Sequence, residues 1–225
     1  MKRKSSSSSC ARALLVKTKG GGRFVRKFFK DFVKYKREKD VYLLLEKLPN
    51  FSRLLQANYH KMGPEEDSGG FIDSRWGKYG NLYNKSIPWS EEMFTKLTFV
   101  LYQSLIRAER LFNFLHNDIH GGNIVVDEDE SDPRVPYTAF FIDFELSSFG
   151  TGTSTNLEAI RSVSHEKSLY ENLVDLLLCL DFVFRRRMTN KNKSFSRSWN
   201  AFKRYMYKII DPDLLLKHEF FKSVK

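Results

Sequence analysis

Apolar positions form short, mixed clusters early in the chain and long, helically spaced sets later. "ARALLVKT" (11–18) reads as a short strand, and the triple glycine at 20–22 breaks it. From Arg23 to Leu48 the chain is charged and apolar-rich with helical character, but its apolar face changes phase near Tyr35–Lys39. Phe24, Phe28 and Phe32 share one face, whereas Val41, Leu45 and Leu48 share another. This predicts two helical segments, or a bend, closed by Pro49. "FSRLLQANYH" (51–60) suits one or two short strands, and "KMGPEEDSGG" (61–70) a loop. Pro88 and Ser90, followed by Glu91 and Glu92, mark a helix start, with acids near the positive end of the dipole. That helix runs to about Phe114, with Phe94, Leu97, Leu101, Leu105 and Leu111 facing the core. "NIVV" (123–126) and "TAFFID" (138–143) are strand-like, joined by the acidic "DEDESDPRVP" as an exposed hairpin loop. Beyond Gly152 a polar stretch leads to a buried helix at 170–184, a basic linker and a last helical region, "WNAFKRYMYKII". The expected class is α+β, with a small strand-containing part on a larger helical one.

Composition narrows this picture. The chain's 225 residues suit one domain or two small parts sharing a cleft, and its apolar content is that of a globular protein. Cys10 and Cys179 lie far apart and suggest neither a disulfide framework nor a metal cluster, so a reducing compartment is expected. No apolar run reaches the ~20 residues of a membrane span, and "MKRKSSSSSC" has no adjoining apolar core of signal-peptide type. A soluble intracellular protein, cytoplasmic or nuclear, follows, with residues 1–10 as a disordered basic, serine-rich tail. The formal charge of +11 favours anionic partners. The cations are spread over residues 12–39, 185–208 and the C-terminus, with no zinc-finger or RNA-recognition spacing, so nucleic acid is not expected as the main ligand.

The chemistry concentrates in "FLHNDIHGGNIVV" (114–126). A long helix leads to His116, Asn117 and Asp118; Asn123 follows, then a strand, then a second strand ending in Asp143. Alone, each residue has a plain structural explanation: a hydrogen-bonded turn or a strand-end carboxylate. As an ordered set they suit phosphoryl transfer, which needs a carboxylate to orient the acceptor hydroxyl and oxygen ligands for magnesium. Asp118 fits the first role. Asn123 and Asp143, at the mouths of neighbouring strands, fit the second. Gly121 and Gly122 permit a tight loop.

His-x-Asp-x-x-x-x-Asn, a strand pair and "FIDFE" resemble the catalytic and metal loops of the protein-kinase-like superfamily. The resemblance is strongest over residues 90–148 and weak before residue 60. It implies a bilobal fold: the tail, a reduced nucleotide-binding N-lobe (11–85) and a helical catalytic C-lobe (86–225). It implies ATP and Mg2+ as cofactors and a protein with a Ser/Thr acceptor as substrate. Asp118 matches the catalytic base, Asn123 and Asp143 the metal ligands, and His116 the histidine that supports the loop by packing. Asp175 matches the carboxylate that anchors the loop from beneath, and "DLLLKHEFFKS" resembles the end of many kinase domains. Asn117 stands in place of the usual Arg, which implies no regulation through a phosphorylated loop. His120 stands in place of a phosphate-contacting Lys, as in haspin and small-molecule kinases. Glu145 replaces the Gly of Asp-Phe-Gly and should restrict that loop. No Ala-Pro-Glu follows.

A kinase also needs a phosphate-binding lysine held by a helix glutamate. Lys17 is the first choice, because the residues before it read like a strand. Glu38, in phase with Val41 and Leu45, is its expected partner. Lys27 is the rival, although only eleven residues separate it from Glu38, leaving little room to end a strand and begin a helix. Gly20–Gly22 is read as a plain loop, not a phosphate cradle. The reduced form fits a rapidly evolving kinase, such as a viral one acting in a host cell. Two alternatives remain. One is a choline-, ethanolamine- or aminoglycoside-type kinase whose cationic substrate is held by "WSEE" (89–92) or by the aromatics near Tyr79 and Tyr83. The other is a non-catalytic regulator that docks on a partner kinase.

Overall fold

The computed structural model describes residues 13–60, 69–150, 167–209 and 211–224. The expected tail (1–10), most of the loop at 61–70 and most of the polar stretch after Gly152 lie outside the described residues. The fold is α+β, with an antiparallel sheet first and a largely helical part after it.

β1 (Ala13–Lys17) and β2 (Arg23–Phe29) form a hairpin. Its turn is closed by Thr18 and Gly22, and Gly21 sits at φ 84°, a left-handed conformation suited to glycine. β2 corrects the expectation of helix from Arg23. Phe24 and Phe28 are four apart, a spacing that fits one helix face and equally one face of a strand. Pairing with β1 on one side and β4 on the other decides for the strand. The change of element therefore comes at Lys30–Asp31, earlier than the expected bend. Asp31 caps α1 (Phe32–Leu45), accepting from the amides of Val33 and Lys34. Tyr35, Glu38, Val41, Tyr42 and Leu45 form its buried face, in line with the expected inward phase of Glu38.

β3 (Leu54–His60) and β4 (Gly69–Arg75) complete a sheet of order β1-β2-β4-β3. Gly69 and Gly70, expected in the loop, begin β4. A Cβ on Gly70 would lie 2.5 Å from the Tyr59 ring and 2.7 Å from the Asn58 carbonyl oxygen, so this glycine serves close strand approach. β5 (Gly80–Asn81), β6 (Ile124–Glu128) and β7 (Tyr137–Phe141) form a second antiparallel sheet. The acidic segment between β6 and β7 is the expected hairpin connection.

Ser90 caps α2 (Glu91–Phe112), accepting from the Met93 amide. Phe94, Leu97, Leu101 and Leu105 are buried as expected, but Leu111 is 57% exposed. At 100° per residue, Leu111 lies about 40° beyond Leu97, at the edge of the stripe, and it falls in the last turn of α2. α2 packs against β7 and α3 (Leu169–Arg186), whose start carries a Ser168/Glu171 capping box. α4 (Lys193–Met206) takes in part of the expected basic linker, because Asn192 caps it well before Trp199. After α5 (Pro212–Leu215) comes a short turn at Glu219–Phe221; Phe220 packs with Trp199 against Phe94, and Phe221 packs against Phe202. No helix among the described residues is long and apolar enough to cross a membrane.

Phe94 is fully buried at the meeting of α2, α3, α4 and the C-terminal turn. Phe94→Ala should destabilise the fold by about 3–5 kcal/mol through the cavity it leaves. Urea unfolding should show this as a lower midpoint at unchanged slope.

Candidate functional site

Two loops meet at the end of the β6–β7 hairpin. The first follows α2, which Asn113 ends in a left-handed conformation (φ 48°). Leu115 and Ser148 exchange backbone hydrogen bonds of 2.8 Å, joining this loop to the segment after β7. His116 is fully buried against Phe141 and Phe144, and its Nε2–H donates to the Ile142 carbonyl at 3.1 Å. Burial lowers the His116 pKa, so the ring is held neutral.

Asp118 and Asn123 are adjacent in space. The Asn123 amide nitrogen donates to the Asp118 backbone oxygen at 3.1 Å and to its Oδ2 at 3.0 Å. Asn123 closes a short turn, Gly121–Asn123, and its carbonyl accepts from the Ile142 amide at 3.0 Å. Gly121 has no room for a Cβ, which would stand 2.3 Å from the Tyr83 ring; its amide donates to the Tyr83 hydroxyl. His120 accepts the Gly122 amide on Nδ1, leaving Nε2 3.8 Å from Asp118 Oδ2.

The second loop carries Asp143, a non-glycine residue at φ 62°. Lys27 reaches it at 2.6 Å and reaches Glu38 at 2.7 Å, with Glu145 at 3.7 Å. The structure thus corrects the first choice of lysine. Lys17 ends β1 beside the glycine turn, paired in register with Arg23, while Lys27 lies at the other end of the hairpin opposite Ala13. Eleven residues suffice because two strand residues follow Lys27 and Asp31 starts the helix almost at once. Gly20–Gly22 is the hairpin turn, as the plain-loop reading expected, away from Lys27.

Burial pushes the Glu38 carboxyl up to about 7, against the opposing pull of Lys27. Burial alone would lower the Lys27 pKa, but Glu38 and Asp143 outweigh it and hold the ammonium charged. Phe144 is fully buried among Tyr42, Phe51 and Phe114. Glu145 pairs with Lys34 of α1 at 2.6 Å, and Arg37 donates to the Ser147 carbonyl. Beside this cluster lies a cleft of about 140 Å3 whose apolar walls include Ala13, Val25, Val125 and Ile142. Arg75, Trp76 and Gly77, which the sequence did not single out, border it.

Other expected residues are placed differently. Asp175 does not anchor the Asp118 loop; it pairs with Lys167 at 2.6 Å. The contact from beneath comes one turn earlier, where Asn172 accepts the Asn117 amide at 3.0 Å and is 1% exposed. The buried phase of Asn172 with Leu173 and Leu176 was the readable clue. Glu91 of "WSEE" is engaged by Asn192 at the start of α4, and Tyr79 stacks near Tyr137. Of the residues suggested for a cationic substrate, Tyr83 borders the Asp118 loop.

No protein-family model matches the chain, and no curated protein matches it.

The raised pKa of Glu38 sets the sign of a pH effect. Its contribution to stability is full below its ordinary 4.5 and is lost as pH rises through about 7. Glu38→Gln lacks this titration. Urea unfolding across that range should show the wild type losing up to about 3 kcal/mol relative to the variant. A difference that stays flat with pH would mean that Glu38 is ionised throughout.

Proposed function

We propose that the chain is an ATP- and magnesium-dependent phosphotransferase with a protein-kinase-like, bilobal fold, acting on a Ser/Thr hydroxyl of a protein substrate. The observation that carries this reading is Lys27, held by Glu38 and touching Asp143. The two segments that present Asp143 and the Asp118–Asn123 pair are themselves bonded through His116 and Ile142.

The geometry supports the following roles. Asp118, partly exposed and braced by Asn123, orients the acceptor hydroxyl and takes its proton. Asn123 spends its amide nitrogen on Asp118, which leaves its Oδ1 for a cation. Asn123 Oδ1 and the Asp143 carboxylate would supply hard oxygens for magnesium, which in phosphotransfer sites takes one or two such groups beside phosphates and water. The metal supplies neutralisation of charge on the transferred phosphate. Lys27 exchanges Asp143 for phosphate oxygens while Glu38 keeps its ammonium in place. His120 presents Nε2 toward the same space. The cleft takes the base: at about 140 Å3 it is smaller than the ~300–1,000 Å3 of pockets that enclose a drug-sized ligand, so the phosphates lie outside it.

That small volume also favours a second reading, a non-catalytic regulator of a partner kinase. Nucleotide binding separates the two. With Mg2+ and ATP at about 100 times Kd, a ligand specific for the folded state adds about 2.7 kcal/mol, or about 5–10 °C for a chain of this size. The shift should require magnesium and vanish in Asp143→Ala, along with phosphate transfer to a protein substrate. No shift at millimolar ATP would overturn the enzyme reading, as would an Asp143→Ala variant with full turnover.

A further inference from the structure

Asn117 lies one residue before Asp118, is 9% exposed, and adopts a left-handed conformation at φ 63° that asparagine tolerates. Its side chain is saturated by partners far apart in sequence. The amide nitrogen donates to the Leu146 carbonyl and to the Ser148 hydroxyl, both at 3.1 Å. The amide oxygen accepts the Lys167 backbone N–H at 3.3 Å. Its own backbone N–H is held by Asn172 of α3. One buried amide therefore grips both stems of the segment that leaves at Ser148 and returns at Lys167, and fixes them to the loop that carries Asp118.

The other contacts of residues 143–148 point the same way. Asp143 is tied to Lys27, Glu145 to Lys34, the Ser147 carbonyl to Arg37, and Ser148 to Leu115. Phe144 is enclosed by rings. Two of these tethers are ion pairs, one is a guanidinium on a carbonyl, and one is a pair of backbone hydrogen bonds.

We infer that Asn117 is a positioning residue: its side-chain amide pins the two stems at Ser148 and Lys167 to the Asp118 loop and so holds that loop in the arrangement used in transfer. The transfer part of this inference rests on the phosphotransferase reading; the pin itself does not.

Two variants test it without forcing a branched or bulky residue into a left-handed position. Asn117→Asp keeps an oxygen for the Lys167 N–H but loses the nitrogen that serves Leu146 and Ser148. Asn117→Gly loses both. Amide hydrogen exchange should rise at least tenfold at Ser147–Ser148 in both variants, and at Lys167 only in Asn117→Gly, with protection in α2 and β6 unchanged. Exchange equal to wild type at both stems would overturn the inference, as would a uniform rise across the chain, because a general loss of stability has no reason to spare Lys167 in one variant. With Mg2+ and ATP, both variants should keep the nucleotide thermal shift and the KM for ATP while kcat falls at least tenfold. Unchanged kcat beside altered exchange would refute the positioning role. A wild-type protein without any nucleotide shift would instead count against phosphotransfer and leave the exchange result to judge the pin.

Discussion

A charged lysine inside a protein is tolerable only when carboxylates surround it, and the arrangement around Lys27 follows from that requirement. Removing an ammonium from water is expensive, and a single partner leaves its remaining donors unmet. Glu38 and Asp143 together satisfy it, with Glu145 nearby. These three come from α1 and from the segment after β7, so one nitrogen atom ties the first sheet and its helix to the second, alongside the Arg75–Asp127 pair between β4 and β6. Glu145 and Lys34 repeat the fastening a short distance away. Replacing such a cluster with well-packed apolar groups is often neutral or stabilising, so stability alone is a poor reason for it. Under the proposed function, a site where the lysine exchanges one anionic partner for another is a better one.

The loops beside this cluster are shaped by backbone as much as by side chains. Asn113, Asn117 and Asp143 all adopt left-handed conformations, which asparagine and aspartate reach more easily than other residues bearing a Cβ. Each turns the chain sharply where a hydrogen bond then closes: Asn113 onto the end of α2, Asn117 onto Asn172, Asp143 onto Lys27. His116 stiffens the junction because burial keeps it neutral, and a neutral ring with its proton on Nε2 suits the Ile142 carbonyl. An imidazolium here would be desolvated among Phe114, Phe141 and Phe144, a cost that the pull of Asp118 and Asp143 does not offset.

What could be read from the sequence was whatever local order encodes. α2 announces itself by a serine cap, two glutamates and an apolar stripe, and the β6–β7 hairpin by two apolar runs around an acidic turn. Asp118, Asn123 and Asp143 were legible because the loops holding them are short and close on themselves. The misplacements arose where pairing between distant segments decides. Phe24, Phe28 and Phe32 are spaced by four, a period that divides equally into helix and strand, and only β1 and β4 settle it. β4 was hidden because its opening glycines read as loop, although Gly70 is there to let Tyr59 approach. Eleven residues between Lys27 and Glu38 read as too few to end a strand and begin a helix, which favours Lys17, because the immediate Asp31 cap is visible only with β2 in place. Asp175 is the carboxylate to which the resemblance points, yet the buried side of α3 carries the amide of Asn172.

The choice of asparagine beneath the Asp118 loop has an electrostatic logic of its own. A carboxylate at position 172 would place a further negative charge, largely desolvated, under a loop that already presents Asp118. An amide accepts the same Asn117 N–H without charge and uses its nitrogen to donate to the Ser168 carbonyl at the start of α3. The neutral pair Asn117–Asn172 thus transmits position and almost no field, while the charge is carried by Lys27, Asp118 and Asp143. Under the proposed function this division matters. The field that acts on the transferred phosphate comes from residues that can reach it, and the residues that hold them in place leave that field unaltered.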